Sequence, residues 1–284
     1  MGDLVRVLLS LVMSCLLMLP ALADTGDDKY KPTVGQAGKD VIWVPTPDEM
    51  VTAMLNAAGV TPKDLVYDLG AGDGKIAIAA ARQFGAKAVG IEYDKDMAAL
   101  AKRNADRAGV SGRVDMIQGD IFKEDFSKAT VVTMYLLPDL NMRLKPILKK
   151  MPPGTRIVSH SFDMQSWEPD LRIETGAASG YMWIVPAQAA GQWTINIPGF
   201  KQPAVLTLTQ IHQMLTGSLR LDGKTVPIEE ARMRGADMRF QVQWGGGEVL
   251  MFEGRILGER LSGRMQPAVK PTIIEGSRTA RRPS

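Results

Sequence analysis

The sequence predicts an α/β fold, a mostly parallel sheet of seven strands with helices on both faces, followed by a small antiparallel β module. Three observations carry this. Between residues 65 and 186, short apolar runs alternate with segments of helical period at the spacing of βαβ units. At Leu65–Ile76 an apolar strand runs into glycines at every second position (Gly70, Gly72, Gly74) and then an Ala/Ile-rich helix. From about residue 190 the texture changes to period-two alternation punctuated by Asp222-Gly223, Gly245-Gly246-Gly247 and Gly258, which are hairpin signals.

Taken from the N-terminus, residues 1–23 read as a secretory signal. Leu8 to Leu19 are almost all apolar, Arg6 precedes them, and Ala21-Leu22-Ala23 offers an A-x-A cleavage site. The apolar run is short for a membrane span, although Asp3 offsets Arg6 and leaves an uncleaved inner-membrane anchor open. The single cysteine, Cys15, lies in this segment, so a chain cleaved after Ala23 carries no thiol, as suits an oxidising periplasm. Residues 24–40 are polar and glycine-bearing, an extended leader.

The main domain is expected over 41–188. Its first helix is written by Thr46 as N-cap, Pro47 in the first turn and Glu49 closing a T-x-x-E box, with Met50, Val51, Met54 and Leu55 on one face and Gly59 as the stop. Strands are expected near 65–69, 87–91, 113–118, 130–136, 155–160 and 180–186, with a further one near Arg172–Thr175. Helices are expected near 75–84, 95–108 and 139–150. Residues 189–267 form the β module, a meander or half-barrel. Its expected strands are 204–209, 215–221, 238–244, 249–252 and 256–261, and Leu215-Thr216-Gly217-Ser218 and Leu261-Ser262-Gly263-Arg264 hint at a repeat. The stretch 268–284, with Arg278, Arg281 and Arg282, is expected to be a basic disordered tail.

The glycine turn is the chemical centre. A strand, a tight turn and a helix N-terminus form the place where a Rossmann-like sheet takes a nucleotide-like ligand. A dinucleotide fingerprint needs glycine where Lys75 stands, and a P-loop needs glycine at Leu69 and a hydroxyl residue at Ile76. Asp68, two residues before Gly70, repels phosphate and suits a cationic amino group. Two further acids, Glu92 after Ala88-Val89-Gly90-Ile91 and Asp120 after Val114–Gly119, close the next two strands. Three carboxylates at three successive strand ends are far more specific than the glycines alone.

The pattern D-x-G-x-G-x-G at Asp68–Gly74 resembles the first motif of class I S-adenosylmethionine-dependent methyltransferases. The chain is similar, over roughly residues 40–187, to bacterial relatives of the ATP synthase c-subunit lysine N-methyltransferase family. The likeness rests on Val44-Pro45-Thr46-Pro47, Tyr67–Gly74, Gly90-Ile91-Glu92, Gly119-Asp120, Val131–Pro138 and Val158–Met164. It implies S-adenosyl-L-methionine as cofactor, held by Asp68, Gly70, Gly72, Gly74, Glu92 on the ribose, and Asp120 with Ile121 at the adenine. It implies methyl transfer to a lysine of a protein substrate, beside Tyr135-Leu136-Leu137-Pro138, with Tyr135, Pro138 and Thr46 as candidate acceptor-side residues. Enzymes that methylate planar amides or base amino groups carry Asn-Pro-Pro-Tyr there; its absence argues against those acceptors. A small-molecule or lipid acceptor near a membrane, or an exported binding module that has lost turnover, are the competing readings.

Other chemistries find less support. A formal charge of +3 on 284 residues does not point to nucleic acid. Two histidines and one cysteine make a zinc site improbable, and there is no G-x-S-x-G nucleophile elbow. His160 and Asp163 follow the fifth strand and could accept a proton, whereas His212 belongs to the β module.

Overall fold

The computed structural model describes residues 29–176, 178–266 and 272–280; the expected signal at 1–23 lies outside them. In chain order the first unit contains α1 (Asp48–Ala57), β1 (Leu65–Leu69), α2 (Lys75–Phe84), β2 (Lys87–Glu92), α3 (Lys95–Arg107), β3 (Val114–Gln118), β4 (Val131–Met134), α4 (Pro138–Leu148), β5 (Arg156–His160), β6 (Leu171–Glu174) and β7 (Ser179–Ile184). The strands form one sheet in the order β3-β2-β1-β4-β5-β7-β6. Strands β1 to β5 are parallel, and β7 runs antiparallel to both β5 and β6. The order reverses at β1, between β2 and β4. That is the point where an open sheet leaves a crevice at its carboxyl edge.

Both faces of the sheet are covered, as a parallel sheet requires. On one side Met50, Met54 and Leu55 of α1 and Ala77 and Ala80 of α2 pack with Val66, Val131 and Val158. On the other, Leu140, Leu144 and Leu148 of α4 pack with Leu69, Val132, Met134 and Ile157, and with Trp167 and Trp183. The strands alternate between these two clusters, so a one-residue slip would exchange the faces.

The start of α1 differs from expectation. The helix begins at Asp48 with Pro47 in the N-cap position, and no side chain caps it. Pro45 and Pro47 hold the entry extended, Asp48 and Glu49 face the positive end of the helix, and the Thr46 side chain is free to turn inward.

The second unit is larger and more closed than a meander. It contains β8 (Gly191–Asn196), β9 (Ala204–Ile211), β10 (Met214–Leu221), β11 (Lys224–Pro227), β12 (Glu229–Arg234), β13 (Asp237–Trp244), β14 (Glu248–Leu257), β15 (Arg260–Gln266) and β16 (Thr272–Ala280). Antiparallel pairing runs β12-β13-β14-β15-β16-β8-β9-β10, and β10 returns to β12 through Met214 and Arg232. This closes an eight-stranded barrel with β11 as an outlying hairpin arm. Closure removes the exposed edges a half-barrel would leave. Trp193, Ile195, Leu206, Leu208, Phe240, Val242, Phe252 and Ile256 fill its interior, as the width of eight strands allows. The expected disordered tail is overturned over Thr272–Ala280, which forms β16 between β15 and β8, with Ile274 fully buried. The suspected repeat has a packing cause. Gly217 and Gly263 sit where a Cβ would strike the backbone of the facing strand, at the carbonyls of Thr207 and Glu253 respectively.

Candidate functional site

The carboxyl edge of β1, β2 and β4 opens into a cavity of about 310 Å³, within the size range of small-molecule sites. Asp68, Gly70, Gly72, Glu92, Asp120, Ile121, Tyr135 and Thr46 all line it. Two expected site residues do not. Gly74 is the residue before α2 at φ +84°, and a Cβ there would meet Met116 Cε at 2.6 Å and Ala101 Cβ at 3.1 Å. Its place is the close approach of α2 to α3 rather than the ligand. Pro138 occupies the first turn of α4, is exposed, and serves as a helix starter.

The glycine turn has the shape the ligand reading needs. Gly70 and Gly72 have φ of +78° and +56°, and their amides are tied to β2, Gly70 N–H bonding Ile91 O at 2.9 Å and Gly72 N–H the Glu92 carboxylate at 2.9 Å. A Cβ on Gly70 would stand 2.9 Å from Leu136, and one on Gly72 2.7 Å from Trp43 Nε1. At these positive φ values glycine is the favoured residue, and Leu136 and Trp43 pack closely on the bare backbone.

The three acids differ in state. Asp68 is 2 % exposed and accepts a hydrogen bond from Thr133 Oγ1 at 2.8 Å. Burial, with Asp73 and Glu92 nearby, outweighs that bond and pushes its pKa up to about 7. A buried carboxylate short of partners suits an incoming ammonium. Glu92 receives the amide N–H groups of Gly72 and Asp94, each at 2.9 Å, which ties the end of β2 to the glycine turn. Asp120 accepts Phe122 N–H at 3.0 Å and pairs with Lys39 Nζ at 3.0 Å; together these hold its pKa below the usual carboxylate range.

At the far end the lining turns apolar and aromatic: Tyr135, Leu136, Leu137, Leu140 and Phe162. The Tyr135 ring lies 3.9 Å from that of His160 and 6.3 Å from that of Phe162, centroid to centroid. His160 is 3 % exposed, and its Nδ1 is 3.1 Å from Thr46 Oγ1. Burial lowers its pKa, so the ring is neutral near pH 7. Thr46 is therefore bound to His160 rather than capping α1. Asp163 is exposed and binds Gln165 N–H at 3.0 Å; it does not join the cavity. His212 lies in the β9–β10 turn at φ +53°, away from the cavity.

Several lining residues escaped the motif reading. Trp43, Lys39, Tyr93 and Phe162 all face the cavity. Lys75, noticed only as a departure from the dinucleotide fingerprint, binds Thr46 O at 3.1 Å and Asp48 at 2.9 Å, fixing the entry to α1. The available signal for Trp43 was the Trp43-Val44-Pro45 apolar entry, and nothing local marked its contact with Gly72.

Known proteins resemble the segment that carries this site. The ANTKMT methyltransferase domain family matches residues 68–171. A protein-lysine N-methyltransferase of Saccharolobus islandicus (strain REY15A) is 46% identical over 151 residues, covering 51% of this chain and 94% of the relative. The adenine nucleotide translocase lysine N-methyltransferase of Mus musculus is 31% identical over 128 residues, 44% of this chain and 55% of that protein, so the match spans little more than half its length. A solved RNA methyltransferase from Salinibacter ruber, in complex with S-adenosyl-L-homocysteine, is 49% identical. It covers 51% of this chain and 95% of that one, with a TM-score of 0.50. Each of these matches covers at most about half of the chain. An open strand-end crevice, a glycine turn at positive φ, and a relative matched over nearly its whole length together place this chain among the class I S-adenosylmethionine-dependent methyltransferases, in the family of the ANTKMT methyltransferase domain.

Proposed function

We propose that this enzyme transfers the methyl group of S-adenosylmethionine to a lysine side chain of a protein. The observation that carries this reading is the apolar and aromatic wall of Tyr135, Leu136, Leu137 and Phe162 at the end of the cofactor cavity. An aliphatic amine needs a dry channel, because low polarity depresses its pKa and delivers the free base that attacks carbon. When bound, the cofactor supplies an electrophilic methyl on a sulfonium, so the protein's task is positioning and exclusion of water. The names of the Saccharolobus and mouse relatives support the lysine acceptor. The Salinibacter protein is named for RNA, and the missing Asn-Pro-Pro-Tyr weighs against a base amino group here.

In this reading Asp68 receives the cofactor's amino group, Gly70 and Gly72 lie against its backbone, Glu92 receives the ribose hydroxyls, and Asp120 with Ile121 borders the adenine. Tyr135 and Phe162 wall the acceptor. His160 braces Tyr135 and is itself held by the Thr46 hydroxyl. Labelled S-adenosylmethionine incubated with the enzyme and an extract tests the acceptor. Label should remain with protein after nuclease digestion and lipid extraction and appear as methyllysine on hydrolysis; label in RNA or lipid would overturn the lysine reading.

We further propose export, with cleavage after Ala23. It is supported by the apolar run Leu8–Leu19 and the A-x-A at 21–23. N-terminal sequencing of the protein from fractionated cells tests it. A chain beginning at Met1 in the cytosol would refute it.

A further inference from the structure

Residues ahead of α1 do more than lead into the domain. From Gln36 to Thr46 the chain lines the cofactor cavity at every position. The strap is shaped by its own backbone: Gly35 N–H bonds Trp43 O at 2.8 Å, Trp43 N–H bonds Gln36 O at 2.9 Å, and Gly38 N–H bonds Val41 O at 2.8 Å. These bonds give the loop a shape of its own. Its C-terminal end is anchored at Thr46, which binds His160 and Lys75, and ahead of that anchor Trp43 and Lys39 join it to the domain. Trp43 lays its indole on Gly72 in the glycine turn. Lys39 pairs with Asp120 at 3.0 Å, and its Nζ also lies 4.4 Å from the centre of the Tyr93 ring. Asp120 and Tyr93 follow the ends of β3 and β2, so Lys39 bridges the strap to two strand ends at once. The strap precedes the 68–171 segment recognised as the family domain.

We infer that Lys39 is a positioning residue that latches the strap over bound cofactor and sets the rate of cofactor exchange. Residues 36–46 wall one side of the cavity, and in this proposal lifting that wall is the step that lets the cofactor in and out. Lifting breaks the Lys39–Asp120 pair and draws the ammonium off Tyr93, while the strap's internal hydrogen bonds survive. The latch thus governs the opening step common to entry and exit. Its loss speeds both by the same factor and leaves the equilibrium affinity nearly unchanged. A residue that merely contacted the cofactor would act on exit alone and alter the affinity. The pair is accessible enough to be screened by salt.

Stopped-flow binding of S-adenosylhomocysteine to the full chain tests this, with Trp43 fluorescence as reporter and surface-immobilised enzyme as a second readout. Lys39→Ala should raise association and dissociation rates together, each about fivefold for an accessible ion pair reinforced by a cation–π contact. The dissociation constant should stay within about twofold. Lys39→Arg should restore slow exchange. Wild-type exchange should quicken with added salt and that of Lys39→Ala should not. Unchanged rates, or a change in dissociation alone, would overturn the latch. Absence of any S-adenosylhomocysteine binding by the wild type would instead count against the cavity as the cofactor site.

Discussion

Thr133 stands directly opposite Asp68 in the register of β4 against β1 and donates its hydroxyl to the carboxylate at 2.8 Å. That single neutral bond is all the described side chains offer a carboxylate only 2 % exposed. The result is an acid that holds its proton up to about pH 7 until a cation arrives. Above that pH the buried charge is unfavourable, and the proposed ammonium of the cofactor would relieve it.

Asp68 should therefore link stability to pH in an unusual direction. Its pKa rises from an ordinary 3.8 to about 7 on folding. Between those values the folded chain binds a proton that the unfolded chain lacks, so stability falls as pH rises through this window and levels off above about 7. Asp68→Asn removes the buried charge and keeps an acceptor for Thr133. At pH 8 it should stabilise the cofactor-free protein by on the order of 2–4 kcal/mol, and the gain should vanish near pH 4. Denaturant titrations at the two pH values check this.

The same group should make cofactor binding pH-dependent with the opposite sign. Below about pH 7 the carboxyl must lose its proton before it can pair with an ammonium, so affinity for S-adenosylhomocysteine should weaken by up to about tenfold per unit as pH falls. Asp68→Asn should bind weakly and without that slope. Calorimetry at pH 6 and 8, in two buffers of different ionisation heat, would count the released proton. A pH-independent affinity would remove Asp68 from the ligand's amino group.

Gly72→Ala combines two faults. At φ +56° an alanine pays roughly 1–2 kcal/mol for the left-handed conformation. Its Cβ would also stand 2.7 Å from the indole nitrogen of Trp43. The indole must move, and the strap with it. Loss of S-adenosylhomocysteine affinity of tenfold or more is expected, with a smaller drop in stability. Gly74→Ala should show the reverse balance, because its Cβ would enter the α2–α3 contact and not the cavity.

Much of this was legible along the chain because the signals are local. The strand, the glycine bend and the helix are consecutive, and each strand's acid sits at its own carboxyl end, so topology alone gathers Asp68, Glu92 and Asp120. Thr46 misled for the same reason. The T-x-x-E spacing is a local pattern, and a tertiary partner, His160, 114 positions away, took the hydroxyl instead. Trp43 and Lys39 join the site only when the strap folds back, which no window of sequence records. In the barrel, β12 reads Glu229-Glu230-Ala231-Arg232-Met233-Arg234 with only Ala231 and Met233 buried, too little apolar content to announce a strand. Closure supplies the missing pattern through its neighbours.

If Tyr135 walls the acceptor as proposed, its substitution should separate acceptor chemistry from cofactor binding. Its ring is braced by His160 at 3.9 Å and Phe162 at 6.3 Å on the wall of the cavity. Tyr135→Ala should lower turnover at least tenfold while S-adenosylhomocysteine affinity stays within about threefold. Tyr135→Phe should retain most of the rate if the ring face rather than the hydroxyl does the walling. Equal loss of turnover and affinity in Tyr135→Ala would assign the residue to folding instead.

Beside the stacked Trp167 and His212 rings, 5.6 Å apart, polar contacts cross the joint between the two units and can be cut singly. Asp170, ahead of β6, is 6 % exposed in its side chain and accepts Arg232 of β12 at 2.6 Å and the Ile184 amide of β7 at 2.8 Å. Gln213, 1 % exposed, adds a bond from its amide to Glu168 O at 2.7 Å. Arg232→Ala would leave the Asp170 carboxylate buried with only an amide donor, at a cost of about 1–3 kcal/mol. That cost falls on the joint rather than on either core, because Arg232 contributes to neither hydrophobic cluster. The variant should therefore unfold in two resolved calorimetric steps, the barrel and the methyltransferase unit parting company. Arg232→Ala with Asp170→Asn should recover part of the coupling, since the stranded charge is gone. A single transition shifted downward as a whole would show that the remaining contacts, the Trp167–His212 ring pair and Gly235 against Gly154 and Ile184 among them, hold the units together without the ion pair.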